Sequence, residues 1–150
     1  MKAEELMLGD WVFLDGVPSR VGLIEANPQT VYVKNERLGI RVDMEDVDPI
    51  PLTAEILEAN GFVKTREQFR HIQYELTLNP NTEDEHYVVV KLHPKNDHCP
   101  YMWAHIFYLP TSRIELNTIE SKIVDCSVHH FQHILRLCGI DKEITIIREL

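Results

Sequence analysis

Asp48-Pro49-Ile50-Pro51-Leu52-Thr53-Ala54-Glu55-Ile56-Leu57 is the stretch that divides this 150-residue chain. Two prolines fix φ, remove two backbone donors and break both ladder and helix, so the chain must turn here. Thr53 has the character of an N-cap, with Leu52 and Leu57 at the N′ and N4 positions of a hydrophobic staple. Gly61 suits the left-handed C′ position and Phe62 suits C″, which bounds a short helix over 54–60.

Upstream of this joint the chain reads as short strands and tight turns. Trp11-Val12-Phe13-Leu14 is β-rich and closed by Asp15-Gly16, a hairpin dipeptide. Arg20 to Ala26 is a second run, ended by Asn27-Pro28. Thr30 to Val33 and Ile40 to Met44 alternate with period two, as half-buried strands do. Four or five strands in fifty residues are too few for a sandwich, and a small SH3-like β-barrel over residues 1–52 closes their edges most economically.

Downstream, residues 53–150 predict an α+β lobe, an antiparallel sheet packed with a C-terminal helix. Ile72, Tyr74, Leu76 and Leu78 alternate with polar neighbours, and Asn79 to Glu85 is a polar turn. Tyr87 to Leu92 is nearly continuous in apolar character, as a central strand is. Residues 93–100 form a loop, Tyr101 to Leu109 form the longest strand, and Arg113 to Leu116 extend or follow it. Residues 117–126 fit a helical turn or extended chain equally, and Ile144 to Ile147 suit a last edge strand. Ser127 caps a helix over 128–138, with Gly139 at C′ and Ile140 closing onto Leu135. Val128, Phe131, Ile134, Leu135 and Cys138 make its apolar stripe. His129, Gln132, His133 and Arg136 fall on the other side, where burial does not account for them, and they mark a candidate interaction surface.

Leu8-Gly9-Asp10-Trp11-Val12, Ile50 to Leu57 with Asn60-Gly61-Phe62, and Val128-His129-His130-Phe131-Gln132-His133 with Leu135 to Ile140 together resemble an uncharacterised family. That family occurs in gut bacteria and their prophages and mobile elements. Its pattern is a GNxV strand, an IPLTEExLLKxGF segment and a C-terminal VHxLQ-type helix. Asp10 stands where Asn is usual and Phe131 where Leu is. The resemblance implies a small cytosolic protein and brings no activity or catalytic residue with it.

Composition narrows the function classes. The 24 acidic residues exceed the 15 basic ones, for a net charge of −9, and residues 1–52 hold five basic against ten acidic. Broad electrostatic binding of nucleic acid or an anionic membrane is therefore not expected. No apolar run is long enough to span a bilayer, and the opening residues lack a signal-peptide core. Three cysteines, Cys99, Cys126 and Cys138, cannot all pair, which fits a reducing cytoplasm. No phosphate loop, GxGxxG or GxSxG occurs.

Eight histidines raise the question of metal. His129 and His133, spaced i and i+4, present two imidazoles on one helix face, as zinc ligands require. His130 stands where a hydrolytic zinc motif carries its glutamate, so that motif lacks its general base. A third ligand would come from His93, His98 or Cys99. Cys99 in its loop is the one thiol placed to react, while Cys126 and Cys138 read as buried small hydrophobes. Tyr101, Trp103, His105 and Phe107 alternate like a base-stacking platform but are expected to pack in the core under a helix or at the seam with the N-terminal barrel. Asp43, Glu45, Asp46 and Asp48 read as a solvated edge. The leading expectation is a non-catalytic cytoplasmic protein that binds another protein and carries no cofactor. The alternatives are a zinc enzyme built on His129 and His133 and a nucleic-acid accessory factor. Protonating all eight histidines would cancel eight of the nine net negative charges and favour self-association on acidification.

Overall fold

The computed structural model describes residues 1, 5–26, 29–95, 103–109, 119–124 and 126–146. Two antiparallel five-stranded sheets and two α-helices make it an α+β protein. The chain forms two compact units. The first is Met1–Leu52 with Ser127–His133 and the residues from Ile146, and the second is Thr53–Cys126 with Ile134–Thr145. Residues 127–133, which chain order alone would assign to the α+β lobe, thus belong to the first unit.

In the first unit β1 (Trp11–Leu14), β2 (Val17–Ala26), β3 (Gln29–Lys34), β4 (Gly39–Asp43) and β5 (Val47–Pro49) lie in the order β4-β3-β2-β1-β5. Asp15 and Gly16 both take positive φ, 49° and 72°, so the β1–β2 loop twists with its strands. The register slips between Val21 and Leu23 at Gly22, a bulge that bends β2. A 3₁₀ turn, Met44–Asp46, carries the chain from β4 to β5. The sheet stays open, with β4 and β5 as its edges. Its inner face supplies a core of Leu6, Val12, Leu14, Val21, Val31, Val33, Met44 and Val47.

In the second unit α1 (Ala54–Ala59) precedes β6 (Val63–Gln68), β7 (His71–Leu78), β8 (His86–His93), β9 (Trp103–Leu109) and β10 (Ile119–Val124), ordered β10-β9-β8-β7-β6. The segment 117–126, ambiguous in sequence, thus supplies a strand. β6 carries no apolar alternation because every one of its side chains is exposed. The paired strands Val88–Val90–Leu92 and Ala104–Ile106 turn the same face inward. His105 and Phe107 therefore lie on the opposite face, half-buried, where Lys91 sits 5.1 Å above the Phe107 ring. The expectation that they pack in the core is corrected by this register. Tyr101 and 113–116 lie outside the described residues. Ile144 to Ile146 form no strand, and Thr145 instead exchanges both backbone hydrogen bonds with the side chain of Asn60, at 2.8 and 2.9 Å.

α2 (Val128–Leu137) belongs to the first unit through His133 and to the second from Ile134. Both helices end as their sequences require. Phe62 N–H donates to Leu57 O and Gly61 N–H to Glu58 O, and Ile140 and Gly139 repeat the pattern onto Leu135 and Arg136. Gly61 has φ 88° and Gly139 φ 72°. Nothing lies within 4 Å of a Cβ placed on Gly139, so substitution there meets only backbone strain. Gly139→Val should lower stability by about 1–2 kcal/mol in urea unfolding, and Gly139→Asn by clearly less, since Asn tolerates the left-handed region. Equal midpoints for all three proteins would remove the helix terminus drawn here.

Candidate functional site

The start of α2 is fixed within the first unit. Val128 N–H donates to Ile50 O at 2.8 Å, and Pro51 bridges Ser127. The Ser127 hydroxyl accepts from His130 N–H at 3.4 Å, as an N-cap does. The same oxygen lies 2.9 Å from His129 Nδ1 and 3.0 Å from His130 Nδ1. One hydroxyl proton serves one ring, and the other ring must donate.

The residues expected on a free surface fare differently. His129 is 1 % exposed and Gln132 6 %, so burial does account for both. Gln132 Oε1 accepts Trp11 N–H at 3.0 Å, and Gln132 Nε2 donates to Gly9 O at 3.2 Å. Between those two backbone groups stands Asp10, 0 % exposed. Its Oδ2 accepts Met7 N–H at 2.7 Å and His133 Nε2–H at 2.7 Å. This face of α2 therefore works as a clip on the Met7–Trp11 turn. Arg136 is exposed and belongs to the second unit.

Burial sets how the imidazoles of the clip titrate. Burial holds the His129 imidazole down at about 4, and a cation on His130 or His133 would lower it further, while Asp10 and Glu5 oppose. Burial lowers His130 as well. His129 and His133 ring centroids are 5.9 Å apart. Among the described residues no three His, Cys, Asp or Glu side chains converge where a metal ion could sit. His98 and Cys99 lie outside the described residues. Burial raises the Cys126 thiol to about 12 and raises Cys138 too, so both remain protonated and unreactive at neutral pH. Among the described residues no helix is long and apolar enough to cross a membrane.

The sheet of the first unit offers a different site on its outer face. Trp11 pairs with Arg20 and Arg20 with Lys34, so three strands place them in one row. The guanidinium lies 5.0 Å from the indole centroid, and Arg20 Nε donates to Gly9 O at 3.4 Å. These residues line an open cleft of about 370 Å³ with Pro18, Asn35, Glu36 and Ile146. Asn35 shapes the rim: its Nδ2 donates to Ser19 Oγ, and its Oδ1 accepts Arg37 and Leu38 N–H. Beyond Lys34 the Tyr32 ring lies across Gly22 and Gly39, and a Cβ at Gly39 would collide with its hydroxyl. Leu23 in β2, Leu38 in the β3–β4 turn and Ile40 in β4 are also exposed. Sequence reading missed this row because Arg20 and Lys34 are 14 positions apart and meet only through register. Alternation within Trp11–Leu14 marks Trp11 as facing away from Val12, which was the available signal.

Comparison with protein-family models, with curated proteins and with solved structures gives no match.

Two predictions follow from the clip. Gln132→Ala leaves a buried donor and acceptor unmatched and should cost roughly 1–3 kcal/mol in denaturant unfolding. His129 binds its proton more weakly folded than unfolded. Its contribution is therefore complete above about pH 6.5 and is lost as pH falls toward 4, with a ceiling of about 3 kcal/mol. His129→Gln should flatten the stability profile between pH 7 and 4 relative to the wild type; identical profiles would mean the ring is not buried. Acidification to pH 5.5 consequently charges fewer than all eight histidines, because His129 and His130 resist.

Proposed function

We propose that this chain is a non-catalytic cytoplasmic interaction protein whose first unit holds a segment of another protein in the Trp11–Arg20–Lys34 cleft. The observation that carries the reading is that row: an indole, a guanidinium and an ammonium set side by side on an outward sheet face, beside exposed Tyr32. Pockets with an apolar floor and a few converging polar groups are where proteins hold ligands. The interaction surface moves accordingly from α2 to β1–β3, with Gln132 positioning it from behind through Gly9 and Trp11 and His133 through Asp10.

The finer architecture belongs to the same proposal. A meander ordered β4-β3-β2-β1-β5, a bulge in β2 and a 3₁₀ turn before β5 are what an SH3-like unit needs, its barrel left open between the edge strands. The resemblance of Leu8–Val12, Ile50–Phe62 and the α2 motif to a family of gut bacteria and prophages supports a small accessory protein of that kind.

Proximity labelling in cells should tag a restricted set of proteins with the wild type and lose them with Lys34→Glu, an exposed change that leaves the clip intact. Identical sets would overturn the cleft as the interaction site. Stoichiometric zinc in untagged protein, lost with His129→Gln and His133→Gln, would replace the reading with the metal-enzyme one.

A further inference from the structure

We infer that Asn60-Gly61 is a modification site in the second unit: Asn60 deamidates when the segment carrying Thr145 lifts away from it, and the product no longer ties that segment down. Asn60 is the only asparagine of the chain that a glycine follows. Glycine has no side chain to shield the nitrogen that must react, and asparagine is thermolabile through this reaction. The chemistry consumes nothing but water. Gly61 N bonds to Asn60 Cγ, the bond from Cγ to Nδ2 breaks, and Nδ2 leaves as ammonia with the proton from Gly61 N. Water then opens the five-membered imide at one carbonyl or the other, giving aspartate or isoaspartate.

The folded chain keeps the reacting atoms apart. Gly61 N–H donates to Glu58 O at 3.1 Å, so the nucleophile is bound into the end of α1. Asn60 has φ −100° and ψ 16°. At that ψ Gly61 N nearly eclipses the backbone nitrogen of Asn60 and stands away from Cβ, whereas the imide ring needs Gly61 N and Cβ on the same side. The side-chain amide is held as firmly. Its Nδ2 donates to Ile56 O at 2.8 Å and to Thr145 O at 2.9 Å, and its Oδ1 accepts Thr145 N–H at 2.8 Å. Ring closure therefore requires the amide to leave all three bonds, and Thr145 has to let go first. Thr145 is exposed and follows the buried Ile144, so this segment can lift without the sheet opening.

The product is unable to restore what was lost. An aspartate has no donor for Ile56 O or Thr145 O and sets a charge against both carbonyl oxygens at a position only 6 % exposed. An isoaspartate adds one backbone atom before Gly61 and so displaces Gly61 N–H and Phe62 N–H from Glu58 O and Leu57 O. A transient opening of the segment becomes a permanent one, and the chain carries a covalent record of it.

The test follows Asn60 by peptide mapping and mass spectrometry in the whole chain, aged at mildly alkaline pH both folded and in urea. Deamidation should run about tenfold or more slower in the folded protein, because only the opened fraction reacts. Thr145→Pro removes the N–H that Asn60 Oδ1 accepts and should raise the folded-state rate several-fold. Ile144→Ala, which loosens the neighbouring anchor, should do the same, and if either variant fails to fold the other decides. Protein deamidated in urea, refolded and separated by its added charge should exchange its amides over 140–146 for deuterium faster than the unmodified chain. Equal rates folded and in urea would overturn the protection. A rate unchanged in a folded Thr145→Pro or Ile144→Ala would overturn Thr145 as the gate. Identical exchange over 140–146 before and after deamidation would overturn the release.

Discussion

The carbonyl of Gly9 is the point on which the first unit turns. It accepts Gln132 Nε2 from one side and Arg20 Nε from the other, while Gly9 N–H donates to Val21 O. A positive φ of 85° lets the chain reverse there. Next to it, the fully buried carboxylate of Asp10 gathers Met7 N–H and His133. Burying such a group without partners would be prohibitive, so the turn and the helix face must come as a set. Trp11 inherits its position from this arrangement, and Arg20 inherits its orientation.

The same arrangement explains how one acidic unit can carry a cationic feature. Paired charges such as Arg41 with Glu25 are exposed and contribute little to stability. Arg20 is set at two points by an indole face and a backbone carbonyl. Net charge describes the long-range field and says little about so local a row.

Legibility in the sequence followed the range of the interactions. The Asp15-Gly16 turn and both glycine helix ends are decided by residues within six positions, and each could be read from the chain. β1 and β7 show their period because one face is buried; β6, exposed throughout, shows none. β9 was read on the wrong face because its aromatic residues alternate as a core stripe would, and only pairing with β8 shows that Ala104 and Ile106 turn inward. His129 and Gln132 looked like surface residues because a helical wheel knows nothing of partners more than 120 positions away. The cleft failed to show for the same reason, since register brings Arg20 beside Lys34.

That separation in sequence also shapes how the protein is made. Trp11 N–H and Gly9 O are synthesised long before the glutamine that satisfies them. At about 5–20 residues per second, several seconds pass before the ribosome reaches Gln132. During that interval the five strands of the first unit can pair with one another and β2 can hold Gly9 and Asp10 through Val21, but the α2 partners of Trp11 and Asp10 do not yet exist. Closing so long a loop is an entropic search, so the nascent chain holds the Met7–Trp11 turn unclipped until α2 has been made. A nascent chain that has not reached α2 therefore lacks the glutamine that holds Gly9 and Trp11 in place.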